Sequence, residues 1–161
     1  MNMRVVLSVV FLATGGVLAA REKGDAKTSY MSQALSAWST HDPDKVISFY
    51  TDDAVYEDVA FGEVNHGKTE LRKFAAELFE EVPDIKLEVT SSSTYNGRGY
   101  VEWIFSGTDK GIYKTGKKFS VRGASVFEMR GGKCASNKDY YNAATIMQQV
   151  GVLPKEAQSS Q

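Results

Sequence analysis

Apolar residues recur at helical spacing soon after residue 28, which predicts an amphipathic helix over residues 28–39. The sequence Asp-Pro-Asp at 42–44 is typical of a helix start and predicts a second, short helix that runs to about residue 50. A short strand is expected at 54–58, and a third helix opens at Gly67. The apolar face of this third helix consists of Leu71, Phe74, Ala75, Leu78 and Phe79.

The rest of the chain alternates apolar and polar residues, which is the pattern of strands. Glycine-containing turn sequences separate four long strands, expected at 85–95, 100–108, 118–130 and 133–142. Helices followed by consecutive hairpins indicate an α+β fold, in which the helices cover one face of a curved antiparallel sheet. A bent sheet leaves a cavity beneath its helices, so a single pocket is expected there.

The first twenty residues have a different pattern, that of an export signal. Arg4 precedes an apolar run at 5–13, and small residues at 17–20 offer a signal peptidase site. The alternative is a membrane anchor, but Gly-Gly at 15–16 interrupts the run, which is shorter than the roughly 20 residues that span a bilayer. We expect the protein to be secreted or periplasmic, with no stable membrane insertion after the signal peptide is cleaved. Its segments are a signal peptide at 1–20, a folded domain at 28–154 and a disordered tail at 155–161.

Composition narrows the possible partners. The chain has 161 residues, 42% hydrophobic and 24% charged, as one globular domain does. A formal net charge of -1 offers no long-range attraction for phosphate, so nucleic acid is not an expected partner. His41 and His66 lie far apart with no acid or cysteine at a ligand spacing, so no metal site is expected. The single cysteine, Cys134, is interpreted as a small buried residue.

Several motifs resemble one protein superfamily. Residues 49–58, Phe-Tyr-Thr-Asp-Asp-Ala-Val-Tyr-Glu-Asp, and the His-Gly-Lys at 66–68 resemble ketosteroid isomerases and their nuclear transport factor 2-like relatives. The second half is more similar to SnoaL-like polyketide cyclases, and the resemblance covers residues 32–154. The motifs of this half are Gly107-Thr108-Asp109, Thr115-Gly116-Lys117, Val121-Arg122-Gly123, Gly132-Lys133, Asp139-Tyr140-Tyr141 and the closing Gln-Gln-Val-Gly-Val-Leu-Pro at 148–154.

The resemblance implies a cone-shaped sheet around one pocket, chemistry without a cofactor, and a homodimer that pairs through the open sheet face. It also implies that Asp58 occupies the position of the general base in ketosteroid isomerases. Asp139 resembles the acid/base of the SnoaL-like cyclases. Where their pattern often has a histidine after Gly-Thr, this chain has Asp109.

The residues around Asp58 independently favour a carboxylate in the pocket. Tyr56 and Asp58 share one face of a strand, and the apolar Val59 and Phe61 come soon after. Burial would raise the pKa of Asp58 toward neutrality, as a base for carbon acids requires. The alternative is a structural role, in which Asp58 caps the strand end or accepts hydrogen bonds from backbone amides of the next loop.

Asp139 is expected in a strand whose inward face also carries Asn137 and Tyr141. Inward polar residues are costly unless they line a wet or liganded cavity, which favours a catalytic role for Asp139. The alternative is a buried ion pair with Arg122 on the preceding strand. Asp58 and Asp139 are therefore the candidate catalytic residues. The candidate substrate-binding residues are Tyr56, His66, Trp103, Arg122 and Tyr141.

These residues leave more than one function open. The first is a cofactor-independent, lyase-type isomerase or cyclase that uses a carboxylate as general acid/base on an apolar, carbonyl-bearing molecule such as a polyketide, terpenoid or steroid-like ring. The second is an exported protein of the same fold that binds a small ligand without chemistry. An epoxide hydrolase, in which Arg122 and Asp139 orient a water, is the third. An apolar small molecule is the expected partner in each case.

Overall fold

The computed structural model describes residues 29–154, so the predicted signal peptide at 1–20 and tail at 155–161 lie outside the described residues. The helices of this part are α1 (Tyr30–Ala37), α2 (Pro43–Ser48), α3 (Gly67–Glu81) and α4 (Ala143–Val150), with a 3₁₀ turn at Trp38–Thr40. The strands are β1 (Tyr50–Asp58), β2 (Glu63–His66), β3 (Lys86–Tyr95), β4 (Arg98–Thr108), β5 (Lys118–Arg130) and β6 (Lys133–Tyr141).

These strands form one sheet in the order β2-β1-β6-β5-β4-β3. The pairings of β3 with β4, β4 with β5 and β5 with β6 are antiparallel, as predicted, and β1 and β2 also pair antiparallel. β1 and β6 instead pair in parallel, with Tyr56 opposite Asn137 and Asp58 opposite Asp139. The predicted antiparallel sheet therefore contains one parallel pairing, because β1 and β6 are far apart in the sequence and no hairpin joins them.

Local sequence explains where the helices begin. The Ser29 hydroxyl and the Asp42 carboxylate accept hydrogen bonds from backbone amides in the first turns of α1 and α2. Gly67, the first residue of α3, has a φ of 71°, and a Cβ there would lie 2.9 Å from the backbone oxygen of Asp52. Glycine fits both constraints, so α3 can start directly after β2 and lie across β1.

The core lies between the helices and the inner face of the sheet. α3 packs on β1, α1 on β3 and α4 on β5. The largest fully buried side chains include Trp38, Tyr50, Met31, Leu71 and Phe127. This arrangement confirms the α+β prediction of helices packed over one face of the sheet.

The sequence pattern does not predict two short elements. β2 spans four residues and pairs with β1, and α4 follows β6 directly. α4 places Ile146 and Val150 in the core and ends at Gly151, whose φ is 83°. Elements this short contain too few turns or alternations for periodicity to identify them.

Candidate functional site

A cavity of about 170 Å³ lies between the helices and the inner face of the sheet. An apolar cavity of roughly 150 Å³ holds one benzene molecule, so this one has room for a single ring or a group of similar size. Its apolar wall includes Trp38, Phe74, Leu78, Trp103, Phe105 and Ile112. Its polar lining comes from Tyr56, Asp58, Glu63, Glu81, Asp139 and Tyr141.

Asp58 and Asp139 are neighbours within this cavity. They are register partners in the parallel pairing of β1 and β6, and each is only 7% exposed. Because register partners point to the same face of a sheet, both carboxyl groups lie on the inner face. The sheet therefore brings together two acids that are 81 positions apart in the sequence.

Asp139 accepts three hydrogen bonds. The Ser125 hydroxyl and the Asn137 amide donate to Oδ1, at 2.6 and 2.7 Å, and the Tyr56 hydroxyl donates to Oδ2 at 2.7 Å. A carboxylate oxygen accepts about two hydrogen bonds, so Oδ1 is saturated while Oδ2 retains one free lone pair. Oδ2 is therefore the atom of Asp139 that is able to receive a proton.

The surroundings of Asp139 raise its basicity. Burial raises the pKa of Asp139 to about 6, although the hydrogen bonds from Ser125, Tyr56 and Asn137 lower it; the charge of Asp58 raises it further. Water solvates the buried carboxylate poorly, so its ionised form is less stable than in solution. A pKa near 6 suits proton transfer in both directions near neutral pH.

Ser125 links Asp139 to the cavity wall. Its hydroxyl accepts a 2.9 Å hydrogen bond from the indole Nε1 of Trp103 while it donates to Asp139. Ser125 is fully buried, and Trp103 lines the cavity. A Cβ on Gly123 would collide with the Trp103 ring, so the absence of a side chain at 123 makes room for the indole.

Asp58 has a similar but distinct set of donors. Its Oδ1 accepts hydrogen bonds from the backbone amides of Ala60 and Phe61, at 3.0 and 3.2 Å, and its Oδ2 accepts one from the Tyr141 hydroxyl at 2.7 Å. Burial raises the pKa of Asp58, while these three donors lower it. Oδ2 again keeps one free lone pair.

Both tyrosines are uncharged donors. Burial, together with the negative charge of the neighbouring aspartates, raises the pKa of Tyr56 and of Tyr141 well above the ordinary value. Both phenols therefore keep their protons at physiological pH.

The structure places five of the seven predicted site residues in the cavity lining. They are Tyr56, Asp58, Trp103, Asp139 and Tyr141.

The other two predicted site residues lie elsewhere. Arg122 and His66 are exposed, and neither lines the cavity. Arg122 alternates with the inward Val121 and Gly123, so it points to the opposite face of the sheet. His66 is opposite Val55, whereas its neighbour Asn65 pairs with the inward Tyr56. The expectation that His66 and Arg122 bind substrate in the cavity is corrected accordingly.

The structure shows which of the contacts required by the structural alternatives for the two acids are formed. The proposed ion pair between Asp139 and Arg122 does not form, because the two side chains lie on opposite faces of the sheet. Asp58 does accept backbone amides of the next loop, as its structural alternative predicted, and it also lines the cavity.

Sequence reasoning missed Ser125, Glu63 and Glu81. Ser125 is the polar member of the inward series Val121, Gly123, Ser125 and Phe127, and a small hydroxyl in such a series is a recognisable signal. Glu63 and Glu81 occupy a strand end and a helix end, where the sequence carries no comparable signal.

Within residues 29–154, no group of three histidine, cysteine, aspartate or glutamate side chains is arranged to hold a metal ion. In the same range, no helix is long and apolar enough to cross a membrane.

Comparison with known proteins assigns the family. A family model described as SnoaL-like polyketide cyclase matches residues 29–150. Cyclase aurE of Calcarisporium arbuscula is 31% identical over 101 residues, which are 62% of this chain and 74% of that protein.

Solved structures share the fold. A protein of Catenulispora acidiphila with a ketosteroid isomerase-like fold, crystallised with trimethylamine, has a TM-score of 0.71 at 21% identity, covering 77% of this chain and 93% of that one. TsrD of Streptomyces laurentii has a TM-score of 0.68 at 22% identity, covering 77% and 93% respectively. The chain therefore belongs to the SnoaL-like polyketide cyclase family and has the ketosteroid isomerase-like fold of the nuclear transport factor 2-like proteins.

Proposed function

We propose that the protein is a cofactor-independent isomerase or cyclase that moves a proton on an apolar, carbonyl-bearing small molecule, with Asp139 as general base and then general acid. The observation that carries this proposal is the buried Asp139 carboxylate, whose Oδ2 keeps a free lone pair beside an apolar cavity. Polyketides, terpenoids and steroid-like rings are substrates of suitable chemistry, and the cavity has room for one ring of such a molecule.

The basicity of Asp139 fits this step. A solvated aspartate, with a pKa near 3.9, is a weak base for the C–H next to a carbonyl. Burial raises the pKa of Asp139 to about 6, so the group is largely ionised at pH 7 but binds a proton more strongly than a solvated aspartate. The same proton is then readily returned to the substrate.

The reaction is balanced without an oxidant or reductant. Asp139 Oδ2 takes the proton from the carbon next to the carbonyl, and the C–H electron pair forms an enolate. In an isomerisation, Asp139 returns the proton to another carbon of the conjugated system. In a cyclisation, the enolate carbon attacks a second carbonyl, a C–C bond forms, and the resulting alkoxide takes the proton from Asp139.

Tyr56 is suited to stabilise the enolate. Its hydroxyl donates to Asp139 Oδ2 at 2.7 Å, next to the lone pair that receives the proton. A protonated carboxyl is a weaker acceptor than a carboxylate, so proton transfer frees the Tyr56 hydroxyl to donate to the enolate oxygen. A donor of this kind contributes about 3 kcal/mol to the stability of a transition state.

Asp58 is the second candidate base. It lies beside Asp139 and lines the same cavity, but backbone amides of Ala60 and Phe61 stabilise its ionised form. Its charge raises the pKa of Asp139, which gives it an electrostatic role even when Asp139 transfers the proton. Arg122 lies on the opposite face of the sheet. It therefore cannot orient a water together with Asp139, as the epoxide hydrolase hypothesis requires.

The test is enzyme-dependent deuterium incorporation from heavy water into a panel of cyclic enones and β-dicarbonyl compounds, measured by mass spectrometry. Asp139→Asn is expected to abolish exchange, and Asp58→Asn is expected to reduce it. Asp52→Asn is the matched control, because Asp52 is an exposed aspartate on the same strand as Asp58 and is paired with Lys68. Its exchange rate should equal that of the wild-type protein.

Two outcomes would contradict the proposal. If Asp139→Asn exchanges at the wild-type rate, Asp139 is not the base. If no compound exchanges but several raise the melting temperature of all variants equally, the protein binds a ligand without chemistry, which is the alternative function.

Export and dimerisation stay predictions. Val126 and Tyr140 are about half exposed on the outer face of the sheet, which supports pairing of two copies through that face. Light scattering of the purified protein would measure the oligomeric state, and N-terminal sequencing of the exported protein would locate any cleavage.

A further inference from the structure

The charges around the cavity have one sign. Its lining contains four carboxyl groups and, among the described residues, no lysine, arginine or histidine. The ion pairs within residues 29–154 involve none of Asp58, Glu63, Glu81 and Asp139. Burial and the neighbouring carboxylates raise the pKa of Glu81, and Lys114 opposes them only by acting through space. The cavity therefore has a negative potential and lacks a basic side chain of its own to balance it.

Aromatic rings form much of the same wall. The ring centroids of Tyr56 and Phe74 are 5.3 Å apart, those of Trp38 and Tyr56 are 5.6 Å apart, and those of Trp103 and Tyr141 are 5.9 Å apart. The face of an aromatic ring carries partial negative charge and attracts organic cations, most strongly when the cation is desolvated. Rings and carboxylates that share one cavity are the two elements that ammonium recognition uses.

We propose that the substrate of this cavity carries a small organic cation, a tertiary or quaternary ammonium group, together with its apolar carbonyl-bearing part. The carbonyl part lies toward Asp58 and Asp139, and the ammonium group lies toward Glu63 and Glu81 on the more exposed side. The statement that the substrate contains a carbonyl part rests on the proposed function. The preference for a cation rests only on the charges and rings of the cavity.

Other ligand charges fit the cavity less well. An anionic ligand would meet four carboxyl groups without a basic partner, and like charges at close range are repelled. A neutral ligand without a hydrogen-bond donor would gain nothing from Glu63 and Glu81. A cation gains from both carboxylates and from the rings.

The decisive test compares two probes of the same shape. Acetylcholine and 3,3-dimethylbutyl acetate carry the same ester carbonyl and differ in that a quaternary nitrogen replaces a quaternary carbon. Isothermal titration calorimetry with the purified protein is expected to give at least about tenfold tighter binding of acetylcholine. Equal affinities, tighter binding of the neutral ester, or no detectable binding of either probe would overturn the proposal.

A matched pair of variants locates the cation. Glu81→Gln is expected to weaken acetylcholine binding about fivefold and to leave the neutral ester unchanged. Glu88→Gln removes the same charge from an exposed position of β3 that does not line the cavity or the groove beside Glu63 and Glu81, and should change neither affinity by more than about twofold. Equal losses in the two variants would contradict a cation beside Glu81.

Binding alone decides this proposal, so its failure is distinguishable from failure of the proposed function. Selective cation binding without deuterium exchange would contradict the proposed function and support the cation proposal. Deuterium exchange on neutral enones without a preference for cations would support the proposed function and contradict the cation proposal.

Discussion

Asp58 and Asp139 lie side by side across the parallel pairing of β1 and β6, and each accepts a hydrogen bond from a tyrosine on the other's strand. Tyr56 of β1 donates to Asp139, and Tyr141 of β6 donates to Asp58. Each tyrosine is two positions from the aspartate on its own strand, so both project from the same face. This reciprocal arrangement fixes both carboxyl groups and depends on the parallel register.

The folded state should respond to the ionisation of Asp139. Because burial raises its pKa to about 6, above the unfolded value of about 3.9, the folded protein binds the proton more strongly than the unfolded chain does. The stabilising contribution is fully present below the unfolded pKa and is lost as pH rises through about 6. The upper limit of this loss is about 3 kcal/mol, at about 1.4 kcal/mol per pKa unit.

Asp139→Asn isolates this effect, because asparagine does not titrate. The free energy of unfolding of the wild type minus that of the variant should fall between pH 4 and pH 7.5, measured by urea denaturation. A difference that stays constant over this range would mean that Asp139 has an ordinary pKa in the folded protein.

Ser125→Ala should raise the pKa of Asp139 further. The Ser125 hydroxyl stabilises the carboxylate through a 2.6 Å hydrogen bond. A hydrogen bond to a charged group contributes about 1.5 kcal/mol, so its loss should raise the pKa of Asp139 by about one unit. Carbon-detected NMR titration of the Asp139 carboxyl measures the change. Ser120→Ala is the control, since Ser120 is on the same strand but exposed. A pKa unchanged by Ser125→Ala would show that Ser125 does not stabilise the charge.

The sequence predicts most of the sheet because hairpins are local. Alternation and glycine turns place β3 to β6 within two residues of their observed ends. The parallel pairing of β1 with β6 joins residues 81 positions apart. The alternation of apolar and polar residues within a strand does not identify the strand with which it pairs. The spatial relation between Asp58 and Asp139 therefore required the structure.

Strand alternation also bears on which site residues can be predicted from the sequence. The family resemblance pointed to Asp58 and Asp139, and two-residue spacing then put Tyr56 and Tyr141 on the same strand faces as these acids. Alternation would also have excluded Arg122, since it follows the inward Val121. The hydrogen bonds of Ser125 depend on two other strands, so local sequence reveals that residue's burial but not its partners.

Asp109 should stabilise the loop that forms one wall of the cavity. It stands where the SnoaL-like pattern often has a histidine, and it accepts hydrogen bonds from the Thr115 hydroxyl and from the amides of Tyr113, Lys114 and Thr115. Ile112 of the same loop lines the cavity. Asp109→Ala leaves several donors without an acceptor and should lower the free energy of unfolding by about 3 kcal/mol at pH 7.

The pH dependence of this loss has the opposite sign to that of Asp139. Burial raises the pKa of Asp109, but the hydrogen bonds from Thr115, Tyr113 and Lys114 outweigh burial and lower it overall. Its contribution is present above the unfolded pKa and is lost as pH falls through the folded pKa. The destabilisation by Asp109→Ala, measured by urea denaturation, should thus shrink toward pH 2. A loss that is the same at pH 7 and pH 2 would contradict an ionic role for this side chain.

Cys134 should be unreactive in the folded protein. Its side chain is fully buried, its thiol donates to the backbone oxygen of Ser136, and burial raises its pKa to about 12. At pH 8 only about one thiol in ten thousand would be ionised, and the thiolate is the nucleophile. A chromogenic disulfide reagent should label the protein fully in guanidinium chloride and negligibly in buffer over the same time. Cys134→Ala is the blank for both conditions. Rapid labelling in buffer would show that the strand pairing of Cys134 with Tyr50 opens readily, because the reagent reaches the thiol only when β1 and β6 separate.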